Sequence, residues 1–148
     1  MKHNRITIIF FALFVVLALS LSSCAPADTG PVTFTVIGLV DNPLSLTDAD
    51  LKGMDVVDIS AEHPKNGLTD YTGVYLNALL DEAGVQDGAT MLVLTAGDGY
   101  TFEIDIATIR SCTECLVAFG ETAGDYSAVM PDQASKAWVK GLVSLEVK

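Results

Sequence analysis

Basic side chains, cysteine, histidine and tryptophan are all scarce in this 148-residue chain, and each scarcity excludes a class of function. There are 8 Lys+Arg against 19 Asp+Glu, with 3 Cys, 2 His and a single Trp. Lys2 and Arg5 fall in an apolar amino-terminal stretch, so residues 24–148 hold 6 basic and 19 acidic residues, a net charge of −13, with Arg110 as their lone arginine. A body so acidic repels phosphate backbones, which excludes nucleic acid as a partner. Anionic membrane surfaces are disfavoured for the same reason. Beyond residue 23 His63 is the only histidine. That removes zinc sites built on several histidines and any choice of base for a Ser-His pair, so histidine chemistry must use His63.

The amino terminus supplies what the rest lacks. Lys2, His3 and Arg5 precede an apolar run from Ile6 to Leu19, 14 residues long. A bilayer span needs about 20, whereas a signal-peptide core needs fewer. Leu21-Ser22-Ser23-Cys24 then resembles the lipobox of bacterial lipoproteins. In that motif small residues lie extended in a peptidase groove and the free thiol receives diacylglycerol. The expected organisation is a signal over 1–23, a tether over 24–32 with Cys24 lipidated, and one domain over 33–148. The domain would lie outside the cytoplasm, held to a bacterial membrane by acyl chains. Its length is that of one domain, and such a chain buries enough surface to fold without a metal or disulfide scaffold.

Within the domain, Thr33–Val40 reads as a strand ended by Asp41-Asn42-Pro43. Thr47 and Asp50 start a short helical turn that Gly53 closes, Asp55–Ser60 reads as a second strand, and Glu62–Gly67 as a polar loop. Leu76, Leu79, Leu80 and Ala83 share one face of a helix expected from about Val74 to Ala83, with Gly84 just beyond it. Met91–Thr95 and the alternating Thr101–Ile106 flank Gly97-Asp98-Gly99 as a hairpin. Leu116–Phe119, Tyr126–Met130 and Leu142–Val147 bring the count to about seven strands with two or three short helices. Because strands often follow one another directly, an α+β fold of mixed sheets is expected rather than a doubly wound one.

Three constellations invite chemistry. Asp48, Asp50 and Gly53 match positions one, three and six of a calcium loop, but Lys52 stands at the fifth and Ile59 where a bidentate Glu is required. The calcium reading fails, leaving a capped helical turn. Cys112 and Cys115 form C-x-x-C, compatible with a structural disulfide, a redox dithiol, free thiols or half of a metal site. No second ligand pair completes a metal site, and in an oxidising compartment a disulfide pinning the start of Leu116–Phe119 is favoured. Lys136, Trp138 and Lys140 are either a patch for an anionic or aromatic ligand, or one face of a strand whose lysine stems cover the indole.

Several stretches, taken in order, resemble one family. Phe34-Thr35-Val36-Ile37-Gly38 and Asn42-Pro43-Leu44-Ser45-Leu46 are followed by Tyr71-Thr72-Gly73-Val74-Tyr75-Leu76, Leu79-Leu80 and Ala83-Gly84. Asp98-Gly99-Tyr100, Trp138-Val139-Lys140 and Leu145-Glu146-Val147 complete the set. Together, over about residues 33–147, they are similar to the molybdopterin-binding domain of sulfite-oxidase-type oxidoreductases. The resemblance implies that α+β fold and a molybdenum cofactor held by its pterin dithiolene and one protein cysteine. The chain departs from the pattern where that cysteine belongs, in Val57–His63, which has none. The soft ligand of molybdenum is missing, and the anionic cofactor would have one arginine to meet. The sequence therefore reads as a lipid-anchored, extracytoplasmic, non-catalytic binding or accessory module, its partner a small-molecule ligand or another protein. His63, Lys65, Tyr71, Asp98 and Tyr100 are expected to line its pocket. The alternatives are a molybdopterin-dependent oxidoreductase using a non-Cys ligand or a partner subunit, and a thiol oxidoreductase using Cys112 and Cys115.

Overall fold

A computed structural model describes residues 30–148; the expected signal, the expected lipidation site Cys24 and most of the expected tether lie outside them. The fold is α+β, built on two sheets. β1 (Val32–Gly38) pairs antiparallel with β2 (Leu44–Thr47) and parallel with the last strand, β9 (Leu142–Val147). β9 pairs antiparallel with β5 (Met91–Ala96), which turns through Gly97–Tyr100 into β6 (Thr101–Asp105). The five-stranded order is thus β2-β1-β9-β5-β6. The second sheet, β3-β4-β7-β8, is antiparallel throughout and comprises Val56–His63, Gly67–Tyr75, Leu116–Phe119 and Tyr126–Val129.

Three short helices fill the corners. α1 (Asp48–Lys52) carries a capping box: the Asp50 amide donates to Thr47 Oγ1 at 3.1 Å, and Asp50 Oδ2 accepts the Thr47 amide at 2.8 Å. The aspartates that mimicked a calcium loop are thus committed locally, Asp50 to the cap and Asp48 to Lys52. α2 (Leu76–Ala83) buries Leu76, Leu79, Leu80 and Ala83 completely and ends at Gly84 with φ 66°. Eight residues are too few to hold a helix alone. Burial of each Leu, worth about 1.5–3 kcal/mol, supplies the difference. α3 is Ile106–Ser111. Both sheets and all three helices contribute to one apolar core that includes Phe34, Leu51, Leu80, Leu94, Ile109, Leu116 and Leu145.

Four local expectations need correction. α2 begins at Leu76 because Val74 and Tyr75 are still paired with β7. There β4 and β7 approach so closely that a Cβ on Gly73 would stand 2.1 Å from the Val117 carbonyl oxygen. The polar stretch from Glu62 is not a loop, since only Pro64–Asn66 separates β3 from β4. β2, β4 and α3 were not anticipated: β2 is a four-residue edge strand, and β4 carries Thr, Asp and Gly without apolar alternation. Finally, Lys136, Trp138 and Lys140 do not share a strand face. Ser135–Ala137 is a 3-10 turn, after which Trp138 is buried while both lysines are exposed.

That turn positions the site. The chain from Trp138 to Lys140 runs beside β8, where the Ala128 amide donates to the Val139 carbonyl at 2.8 Å and Ser127 bridges Lys140, before crossing into β9 of the other sheet. Meanwhile β3 and β4 pair over eight residues, but β4 reaches β7 over only three, Gly73–Tyr75. The outer part of the hairpin is therefore a two-stranded ribbon, and its tip folds against Trp138.

Candidate functional site

A cavity of about 150 Å³ lies between the ribbon tip and this connector, lined by His63, Asn66 and Tyr71 on one side and by Ser127, Ala128, Val129, Trp138 and Lys140 on the other. The pleat decides what the ribbon contributes. Side chains alternate faces along a strand, and the register pairs Ile59 with Tyr71, Ala61 with Thr69 and His63 with Gly67. His63 and Tyr71 consequently share the inner face. Asp58, Ser60, Glu62, Asp70 and Thr72 share the outer one, where Ser60 bonds Asp70 and Thr72 bonds Asp58. No carboxylate lines the cavity.

His63 is 9% exposed. Its Nδ1 accepts the Lys65 amide at 3.0 Å, which fixes the ring and leaves Nε2 as the nitrogen that carries the proton in the neutral ring. The imidazole packs edge-on to the indole of Trp138, centroids 4.7 Å apart, and the Tyr71 ring lies 5.9 Å from the same indole. Trp138 is 7% exposed, and its Nε1 is buried without a hydrogen-bond partner among the described residues. Such an unpaired donor costs about 1–3 kcal/mol.

The five residues expected to line the pocket therefore divide. His63 and Tyr71 line the cavity. Lys65 contributes its amide to His63, while its side chain is exposed. Asp98 and Tyr100 lie outside the lining. Asp98 Oδ1 accepts the Tyr100 amide at 2.9 Å within the β5–β6 turn, and the Tyr100 hydroxyl donates to the Lys136 carbonyl at 3.0 Å. They brace the turn that leads to Trp138 rather than face the cavity. Trp138 and Lys140 were singled out by composition, whereas Asn66, Ser127 and Val129 carry no signal in the sequence and enter through the tertiary arrangement alone.

Cys112 and Cys115 form a disulfide with Cα atoms 5.6 Å apart. Cys115 is buried, and neither cysteine lines the cavity. The donors present do not fit a pterin-held molybdenum. The stretch 57–63, where the family resemblance places the thiolate, buries Ala61 and His63 instead, and the two remaining cysteines of the domain are oxidised together. Among the described residues no group of three or more His, Cys, Asp or Glu is placed to hold a metal ion. The cavity is also small against the roughly 300–1,000 Å³ of ordinary cofactor and ligand sites. Arg110, the one arginine available for a cofactor phosphate, is paired with Asp81.

No protein-family model and no curated protein matches the chain. Among solved structures it is similar to sulfane dehydrogenase SoxCD from Paracoccus pantotrophus, with a TM-score of 0.65 and 20% sequence identity over 77% of this chain. The match takes in 37% of that protein's chain, so the present chain spans well under half of its length. At that identity the likeness concerns the fold, a distant structural similarity to an oxidoreductase subunit.

Proposed function

We propose that this protein is a lipid-anchored, extracytoplasmic binding or accessory module with a sulfite-oxidase-type molybdopterin-domain fold, in which a small ligand pocket stands in place of the metal centre. One observation carries the reading: the segment that should present a thiolate instead presents buried Ala61 and a His63 locked by the Lys65 amide against Trp138. The protein thiolate of the family's molybdenum site has no counterpart there, and a fixed histidine beside an aromatic wall is suited to hold a small molecule. The SoxCD likeness supports the scaffold, and the lipobox-like Leu21–Cys24 supports export and anchoring.

The test is the metal content of protein purified from its own host. Elemental analysis together with pterin fluorescence should find molybdenum far below one atom per chain. Stoichiometric molybdenum would overturn the reading in favour of an oxidoreductase with a non-Cys ligand or a partner subunit.

A further inference from the structure

We infer that the cavity at the ribbon tip binds a small organic carboxylate. This rests on the binding-module reading and names its ligand class.

Charge placement gives the first argument. Of the six basic side chains in residues 30–148, Lys52 pairs with Asp48, Arg110 with Asp81, and Lys148 with Glu103 and Glu146. Lys65, Lys136 and Lys140 have no carboxylate partner among the described residues, and Lys136 lies over the Phe102 ring. Lys140 lines the cavity and Lys65 follows His63 by two positions. In a domain with a threefold excess of acid, one of its three unpaired cations, Lys140, lines a small cavity that no carboxylate lines. The pleat has meanwhile turned Asp58, Glu62 and Asp70 to the opposite face. Electrostatic complementarity then selects a negative ligand.

Hydrogen-bonding capacity gives the second. With Nδ1 occupied, neutral His63 has Nε2–H to offer, and the side chains of Asn66, Ser127 and Tyr71 make no hydrogen bond among the described residues. Donors are therefore plentiful around a space without a carboxylate, and ligand acceptors would complete them. Size and apolar walls give the third. A volume of about 150 Å³, against roughly 300–1,000 Å³ for ordinary ligand sites, restricts the occupant to a small molecule. Ala128, Val129 and the Trp138 indole offer an apolar surface that a fully hydrated inorganic ion leaves unused. A carboxylate head toward Lys140 and His63 with a short aliphatic tail against Val129 satisfies both halves.

Trp138 is the sole tryptophan of the chain, so its emission reports the cavity directly. The full-length protein in detergent would be titrated with propionate, butyrate and lactate, with propionamide and butyramide as neutral isosteres, and with sulfate and phosphate. The expected result is a saturable change in Trp138 emission with the carboxylates at about tenfold or more lower Kd than with the amides. Lys140→Gln, at an exposed position, should weaken carboxylates about five- to tenfold and leave amide binding unmoved. Amides binding as tightly as carboxylates, or an indifferent Lys140→Gln, overturn the carboxylate assignment while the binding module stands. Sulfate or phosphate binding tighter than every carboxylate does the same. No saturable response to any probe up to about 50 mM, weaker than any useful affinity, overturns the assignment. The metal assay above judges the broader reading separately.

Discussion

Tyr126 is the residue on which the two sheets meet. It is fully buried on β8, its ring edge-on to Phe34 of β1 at 5.7 Å. Its hydroxyl lies 2.8 Å from Thr33 Oγ1 and donates to Asp48 Oδ1 at 3.0 Å, so one phenol ties the second sheet to β1 and α1. Burial pushes the phenol above its ordinary pKa, while the Lys52 hydrogen bond first, with the Tyr126 bond beside it, holds Asp48 below 3.8. Asp50 is likewise lowered, by the Thr47 amide and then its hydroxyl. The signs follow by linkage. The raised phenol contributes stability that is fully present below its ordinary value of 10.0 and lost as pH rises through the folded value. The lowered aspartates contribute stability that is present above 3.8 and lost as pH falls through their folded values. Tyr126→Phe keeps the ring and removes both bonds, so it should cost about 1–2 kcal/mol near neutrality. Its deficit against the parent should shrink above about pH 10. Urea melts across pH measure both, and a deficit constant through pH 11 would show that the hydroxyl carries no such load. Nothing in the local sequence announces this residue, because its partners lie 78 and 93 positions away.

At the scale of elements, legibility followed periodicity. α2 was readable because four apolar residues recur on one face and a glycine follows. The β5–β6 hairpin was readable because Phe102 and Ile104 alternate with polar residues after Gly97-Asp98-Gly99. β4 was not, since a ribbon strand with both faces partly wet has no alternation to show, and so the site's own scaffold escaped the sequence. The C-x-x-C pair was read as a disulfide ahead of β7, and the structure adds its purpose. The turn it closes presents the Cys115 carbonyl to the Leu76 amide at 2.9 Å, at the start of a helix whose preceding Tyr75 offers no side-chain cap. Asn77 of α2 answers by donating to the carbonyls of Ile109 and Cys112, each at 3.1 Å. The bridge therefore locks α2, α3 and β7 at one corner. For a loop this short the chain-entropy estimate is about 2 kcal/mol. Replacing both Cys112 and Cys115 by Ser should lower stability by about that amount in denaturant melts and leave the native-state emission of Trp138, whose cavity neither cysteine lines, unchanged. A loss of native Trp138 emission would mean that the corner governs the cavity as well.

At the scale of the whole molecule, charge decides how the domain would meet a membrane under the proposed anchoring. Residues 24–148 carry a net −13, and the three lysines without carboxylate partners are too few to form a basic face for anionic lipid. Among the described residues no helix is long and apolar enough to cross a membrane. Under the proposed acylation of Cys24, all attachment must then come from the lipid. Residues 24–32 reach at most about 30 Å when extended, against a Debye length of about 10 Å at 0.1 M salt. Under that proposal, a tether of this reach would hold an acidic domain beyond the range of headgroup repulsion. The family resemblance says nothing of this, since it begins after the tether, whereas the paucity of basic residues speaks to it directly. Two fractionation results should therefore coincide. Full-length protein should sediment with membranes, resist a molar-salt wash, dissolve in detergent, and show by mass spectrometry an amino terminus at a lipid-modified Cys24. The domain cut free within residues 24–32 should fail to float with anionic vesicles at any ionic strength, because screening removes repulsion without creating attraction. Release of the full-length protein by salt, or flotation of the freed domain, would show that the folded surface itself holds the membrane.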